Sequence, residues 1–317
     1  MKRIFALILV AALALPMFAQ EEGKACKDKN CQKDFSAYLP AAGDFALGFN
    51  LNPFVNFVGK MFNNSVNGTI DNSAIGGSGL IYNSDVASLA VPYSLVSING
   101  KYMLSDQFGI RANVGLILNR QNQSVYSLDD AALALDPLSR TKVIDTYHNS
   151  QTGGSISAGA EYRIGKGRVQ GVFSGNALYA FAIQNETYTY GNAITEYNQV
   201  PTTHAFSPST WQAVSSAMPN ARLMRDYTGS ASHTVGLVAS AGFECFVGPK
   251  VSLGAEVNLA LLYSWTPQRY GTYEGFNIFS GEVETFTDLV EPKSSDFVFG
   301  TQNVGANLFM NFYFGSK

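Results

Sequence analysis

Residues 251–265 read Val-Ser-Leu-Gly-Ala-Glu-Val-Asn-Leu-Ala-Leu-Leu-Tyr-Ser-Trp, with an apolar side chain at every odd position. Val251, Leu253, Ala255, Val257, Leu259, Leu261, Tyr263 and Trp265 form one set. Ser252, Gly254, Glu256, Asn258, Ala260 and Ser264 form the other, and Leu262 is the exception. A strict period of two puts the sets on opposite faces of one strand. Soluble strands usually stop after about 5–6 residues, whereas a tilted strand needs roughly 9–11 to cross a bilayer. The apolar face ends in Tyr263 and Trp265, residue types that favour the membrane–water boundary. The expected element is a bilayer-crossing strand, and its backbone can be satisfied only in a closed barrel.

Seven further segments carry the same period. They span about 44–52, 94–104, 108–119, 154–164, 168–184, 232–247 and 300–314. In the third, Phe108, Ile110, Ala112, Val114, Leu116 and Leu118 oppose Gly109, Arg111, Asn113 and Gly115. In the last, Val304, Ala306, Leu308, Met310, Phe312 and Phe314 oppose Asn303, Gly305, Asn307 and Asn311. Short turns follow Leu104, Ile164 and Val247, while long loops are expected over about 53–93, 120–153, 185–231 and 266–299. Short turns on one side and long loops on the other are the outer-membrane barrel pattern. An even strand count places both chain ends on the short-turn, periplasmic side.

A soluble lipocalin-like barrel also alternates, but its apolar face points inward. Three features favour the membrane. The polar face is rich in Gly, Ser, Asn and Ala, as a narrow lumen requires. The apolar face is almost free of charge. Aromatics gather at segment ends, with Tyr179, Phe181, Tyr263, Trp265, Phe312 and Phe314 as the expected girdle residues. Charged residues make up only 14% of the 317 residues, against about 25% in typical soluble domains.

The N-terminus has the form of a secretory signal. Lys2 and Arg3 precede an apolar stretch, Ile4 to Leu15, that is too short for a spanning helix, and Pro16-Met17-Phe18-Ala19 leads to a cleavage point. The expected organisation is a signal peptide at 1–19, a periplasmic leader at 20–43 and a barrel domain at 44–317. Three cysteines occur. A local Cys26–Cys31 disulfide is the preferred reading in an oxidising compartment, with two free thiols next and a metal site least favoured because no His or further Cys is near. Cys245 lies on an apolar strand face. The net charge of −3 gives no reason to expect nucleic acid.

The last strand, Asn303-x-Gly305-x-x-Leu308-x-Met310-x-Phe312-x-Phe314, resembles the terminal assembly signal of outer-membrane barrels, although Gly315-Ser316-Lys317 follow it. Residues 44–314 as a whole resemble the small OmpA/OmpX-type eight-stranded barrels of Gram-negative bacteria. That resemblance implies an all-β, up-and-down transmembrane barrel in contact with outer-membrane lipid, and engagement of the barrel-assembly machinery through the C-terminal strand. It brings no catalytic motif and no cofactor.

Six charged residues fall on the inferred lumen face: Lys101, Arg111, Glu161, Arg163, Glu244 and Glu256. An eight-stranded interior is only wide enough for side chains, and an isolated buried charge costs several kcal/mol. A compensated polar plug is therefore expected, with Glu244 and Glu256 near neighbours that need Arg111, Arg163 or Lys101 beside them. In the loops, Ser127-Leu-Asp-Asp130 has the form of a helix start, and 209–218 is a second helix candidate. Tyr188, Tyr190, Tyr197 and Trp211 form a candidate loop binding surface. An enzyme needs a base, and only His148, His204 and His233 exist. His148 with Asp145 and Ser150, or His233 with Asp226, are the groupings available, and their spacing is not special. The expected role is structural or surface-interacting: adhesion, docking of an envelope or extracellular protein partner, or envelope integrity. A narrow solute or ion pore stands second, and a rim-sited lipid hydrolase or protease a distant third.

Overall fold

The structure, a computed structural model, describes residues 37–51, 96–207 and 210–315. The expected signal peptide and most of the expected leader, including Cys26 and Cys31, lie outside the described residues. The chain is all-β and its strands pair antiparallel. In order they are β1 (Phe45–Asn50), β2 (Val96–Met103), β3 (Phe108–Leu128), β4 (Lys142–Ile164), β5 (Val169–Thr189), β6 (Trp211–Gln212), β7 (Ala221–Thr228), β8 (Ser232–Gly248), β9 (Val251–Thr266), β10 (Arg269–Asn277), β11 (Glu282–Glu291) and β12 (Ser294–Phe314). Among the described residues one short helix, α1 (Asp130–Leu135), sits between β3 and β4.

Eight strands pair in a cycle. Following the ladders gives β1–β2–β3–β4–β5, then β8, β9, β12 and back to β1. The β5–β8 ladder, from Val169↔Cys245 to Ala182↔Ser232, joins the two halves. Within this cycle the period-2 pattern becomes a difference in exposure. On β9 the even positions from Ser252 to Ser264 are buried, while the odd ones are half-buried or exposed. Outward apolar residues remain uncovered on successive strands, among them Phe49, Ile98, Leu116, Ile156, Phe173, Leu237, Val257 and Phe299.

Beyond Ala182, β5 leaves β8 and takes β7 as its neighbour through Asn185↔Tyr227, Glu186↔Asp226 and Thr187↔Arg225. β7 and β8 therefore lie end to end along the same edge of β5. β10 continues from β9, and β11 leads into β12. Pro267 and Pro292 stand at those two junctions, where a residue without an N–H ends one ladder before the next begins. The result is a second tier, with strand order β11-β10-β7-β5-β4-β3, above the cycle.

This tier corrects the expected loops. The stretches 120–153, 185–231 and 266–299 hold the upper parts of β3, β4 and β5, together with β6, β7, β10, β11 and the start of β12. Residues 119–124 of β3 and 148–152 of β4 are polar on both faces, so the alternation that marks the lower strands fades there. The helix after Ser127 starts later than expected. Asp129 is its cap, accepting from Ala132 N at 3.1 Å, while Ser127 Oγ donates to Asp145 at 2.6 Å. The second helix candidate does not form among the described residues. Trp211 and Gln212 instead pair with Arg222 and Ala221 of β7.

Candidate functional site

Inward positions of the eight-strand cycle collect the charged side chains. Lys101 comes from β2, Arg111 from β3, Glu161 and Arg163 from β4, Glu244 from β8 and Glu256 from β9. Arg163 Nη2 lies 2.7 Å from Glu244 and its Nε 2.9 Å from Glu161. Lys101 Nζ sits between the same two carboxylates, 2.9 Å from Glu161 and 3.4 Å from Glu244. Arg111 grips Glu256 with two parallel bonds of 2.9 and 3.0 Å, the geometry in which a guanidinium–carboxylate pair is strongest. Three cations thus face three anions. Glu244 is 0% exposed and its second oxygen accepts from Tyr313 OH and Asn311 Nδ2, both at 2.9 Å, and from Ser252 Oγ. The structure brings together all six residues singled out from the sequence.

The network is bounded above and below. Below it, Ala46, Met103, Phe246 and Tyr313 form an apolar floor with Tyr38 and Leu39 packed against it. The segment before β1 is tied there by Gly43 N to Met103 O at 2.8 Å and by the Lys250–Asp44 ion pair. Above it, Leu178, Val238, Ala260 and Leu262 form a second apolar cluster. The order can be followed along β5. Gln170 meets Arg163, Ser174 meets Arg111, and Leu178 lies further on. The upper cluster was missed from the sequence, although Leu262 broke the alternation of its strand and was the available signal.

Outside the cycle, four of the residues expected to form a girdle gather at the junction of the two tiers. Tyr179 lies 6.5 Å from Phe181, and Tyr263 lies 5.9 Å from Trp265. His233 stacks between Tyr179 and Trp265 at 6.0 and 5.3 Å, with Tyr179 OH 2.9 Å from its Nδ1. Phe312 and Phe314 mark the opposite end, where Phe314 pairs with Phe45 and Phe45 with Tyr102. Cys245 is a free thiol on the outward side of β8, half-buried.

The second tier has its own core: Tyr188, Met218, Ala221, Leu223 and Tyr273, with Tyr147, Tyr190, Phe206 and Val214 against it. Asp145, fully buried, accepts from Ser127 Oγ, Gly191 N at 2.8 Å and His204 N at 2.7 Å, and so ties the 190–206 segment to β4. Arg222 stacks over Tyr190 at 4.6 Å and donates to Asn192 O at 2.8 Å. The expected loop binding surface is corrected accordingly. Tyr188 is buried in this core, Tyr190 and Trp211 are half-buried and bonded to Leu223 O and Thr203, and only Tyr197 is well exposed. Burial, with Glu186 alongside, pushes Tyr147 up to about 12 and raises Tyr188 as well.

Neither histidine grouping assembles. His148 and Ser150 face outward on β4 whereas Asp145 faces inward, and His148 Nδ1 meets Asn122 instead. Asp226 is held by Arg269 at 2.6 and 2.8 Å, on the opposite face from the ring stack that contains His233. No protein-family model matches the chain, and no curated protein matches it in sequence.

Proposed function

We propose that the eight-strand cycle is an outer-membrane barrel, that it does not conduct, and that the tier above it is an ordered surface domain for contact with an envelope or extracellular partner. One observation carries this reading. The same strands are apolar outside, charge-paired inside, and continue above the apolar band as a folded sheet. An exposed apolar surface that encircles a molecule far exceeds what soluble monomers tolerate, and acyl chains would cover it. The outward apolar stretch of β5 from Phe173 to Ile183 has the length that a tilted strand needs to cross a bilayer.

The interior supports a closed cylinder. The floor, the charge network and the upper apolar cluster lie in series, so an ion would have to break buried pairs and cross a dry constriction. The second tier supports surface contact. Its tip carries Leu135 and Leu138, 90% and 86% exposed, beside Tyr126 and Ile144. Apolar side chains projected on a rigid hairpin serve an interaction better than they serve folding. The barrel-assembly machinery would engage β12, which pairs on both edges and ends at Phe314.

Planar-bilayer recording of the purified chain tests the closed interior. The expected result is no steady channels at neutral pH, and persistent unitary conductance would place the solute pore first. Pull-down of the intact protein with its membrane neighbours tests the surface role, with loss of capture expected when Leu135 and Leu138 are both replaced by Asp.

A further inference from the structure

Across the junction of the two tiers, the outward face changes character at one register level on adjacent strands. Leu118 of β3, Thr152 of β4 and Ile183 of β5 are aligned. Two residues further up, the aligned row reads Arg120, Ser150, Asn185, Tyr227 and Tyr270. The next row brings Asn122, His148, Thr187 and Arg225 into line. Arg225 leans down from that row, its Nε donating to Asn185 at 2.8 Å and its guanidinium lying 4.2 Å from the Tyr227 ring. Tyr227 in turn stacks on Tyr270 at 5.7 Å.

On four strands of this tier the charges are sorted by face. On β3, β4, β5 and β7 above the boundary, the acids are Asp145, Glu186 and Asp226, and the register puts all three on the inner face. There Asp145 is buried, Glu186 accepts from Tyr188 OH at 2.6 Å and Asp226 is paired with Arg269. The outer face of the same four strands carries Arg120, His148 and Arg225 close above the boundary, with Lys142 at its far end, and no carboxylate. The inner face at that level is packed with the Tyr188, Leu223 and Tyr273 core, which leaves the outer face as the open one.

We propose that this outward belt is a binding site for the phosphate of an anionic lipid headgroup, held chiefly by Arg225 and Arg120. The inference rests on the membrane reading above and adds a ligand to it. The belt lies immediately above the aromatic girdle, which makes it continuous with the lipid-covered surface. Neighbouring strands are about 4.8 Å apart, so the two arginine columns stand roughly 14 Å from each other. The planar fork of a guanidinium matches phosphate oxygens better than a point charge does. Ser150 and Asn185 between the columns supply neutral partners for headgroup oxygens. The acyl chains of a lipid held at Arg225 would descend over Ile183, Phe181, His233 and Trp265, because β7 and β8 lie end to end.

Trp265 makes the site measurable, since the chain has only two tryptophans. The full chain carrying Trp211→Phe is placed in phosphatidylcholine vesicles that contain a small fraction of either phosphatidylglycerol or phosphatidylcholine with brominated acyl chains. Quenching of Trp265 then reports which lipid sits beside it. The brominated phosphatidylglycerol should associate about fivefold more strongly, the ratio that corresponds to about 1 kcal/mol for a basic residue at an anionic surface. Arg120→Gln with Arg225→Gln should bring the ratio near one. Lys142→Gln, at the far end of the same face, should leave it unchanged. Equal quenching by the two lipids overturns the site while the membrane reading stands. An unchanged preference in the double variant also overturns it. If neither lipid quenches Trp265, the membrane reading itself fails and the site with it.

Discussion

Replacing Glu244 tests whether the interior network holds the cylinder together. Glu244→Gln nearly keeps the shape of the side chain but removes its charge, leaving three cations against two anions in a space closed above and below. Arg163 loses its 2.7 Å partner and Lys101 its 3.4 Å one, while Glu161 remains 2.9 Å from both. Removing one member of a buried pair costs about 3–5 kcal/mol, because the remaining charge has no water to return to. The retained bonds to the amide oxygen keep the cost near the lower figure. Arg163→Met on the Glu244→Gln background restores two cations and two anions, with Lys101–Glu161 and Arg111–Glu256 intact. The double variant should therefore cost about 2 kcal/mol less than the sum of the single ones, within the range expected for residues in one network. Equilibrium urea unfolding in lipid vesicles, followed by the fluorescence of Trp211 and Trp265, gives the three differences. Strict additivity, or a Glu244→Gln cost below about 1 kcal/mol, would refute the argument that charge balance is what these residues supply.

The face assignment makes a separate prediction on β9. Leu259→Arg, on the outward side, should cost about 2–4 kcal/mol near a bilayer midplane, and Asn258→Ala, one residue away and buried, about 1 kcal/mol; equal costs in vesicle unfolding would show the faces to be exchanged. Asp145→Ala leaves the N–H groups of Gly191 and His204 unpaired, at about 1–3 kcal/mol each, and should speed proteolytic cleavage within 190–206 while the cycle of strands below resists protease; an unchanged cleavage rate would remove Asp145 as the anchor. In the second tier, burial keeps Tyr147 and Tyr188 protonated beyond the ordinary tyrosine range. Their pKa is raised in the folded state, so the stability they contribute is complete below about pH 10 and is lost as the pH rises towards about 12. Phenolate absorbance should therefore rise together with loss of the second tier, whereas titration of these phenols near pH 10 with the tier intact would contradict the burial.

The lower strands were legible because one face is buried in the interior and the other is exposed, so every second residue is constrained. Val251 to Trp265 shows this without interruption apart from Leu262. The charged interior was legible for the same reason: once alternation fixes the face, Lys101, Arg111, Glu161, Arg163, Glu244 and Glu256 have nowhere to go but inward. The upper tier was not legible. Along Asn119 to Leu128 the residues are Asn, Arg, Gln, Asn, Gln, Ser, Val, Tyr, Ser and Leu, and a polar run of that kind reads equally as loop. What holds it as strand is the long-range ladder with β4, from Asn119↔Gln151 to Leu128↔Lys142, and a ladder leaves no periodic trace when both faces are polar. The tyrosines misled in a related way. Tyr188 and Trp211 look like surface anchors in a loop, but Tyr188 packs against Ala221 and Leu223 of β7, and Trp211 lies in β6, paired with Arg222.

The interior also explains why so many glycines appear in a chain of long strands. Across the ladders, bulky inward side chains are matched with glycine on the neighbouring strand. Gly48 stands opposite both Asn99 and Asn311, Gly254 opposite Phe309, and Gly236 opposite Leu262. A Cβ added at any of these glycines would collide with the facing side chain. Strand interiors lose stability with glycine, so its use here needs a compensating gain, and the gain is volume. In a cylinder of this strand number the interior is just wide enough for side chains, and a large residue on every inward position would overfill it. Each glycine opens the space that one asparagine, phenylalanine or leucine occupies, and the interior closes as a packed core. The pairing of small with large across strands is the arrangement of an interior that is filled by its own side chains.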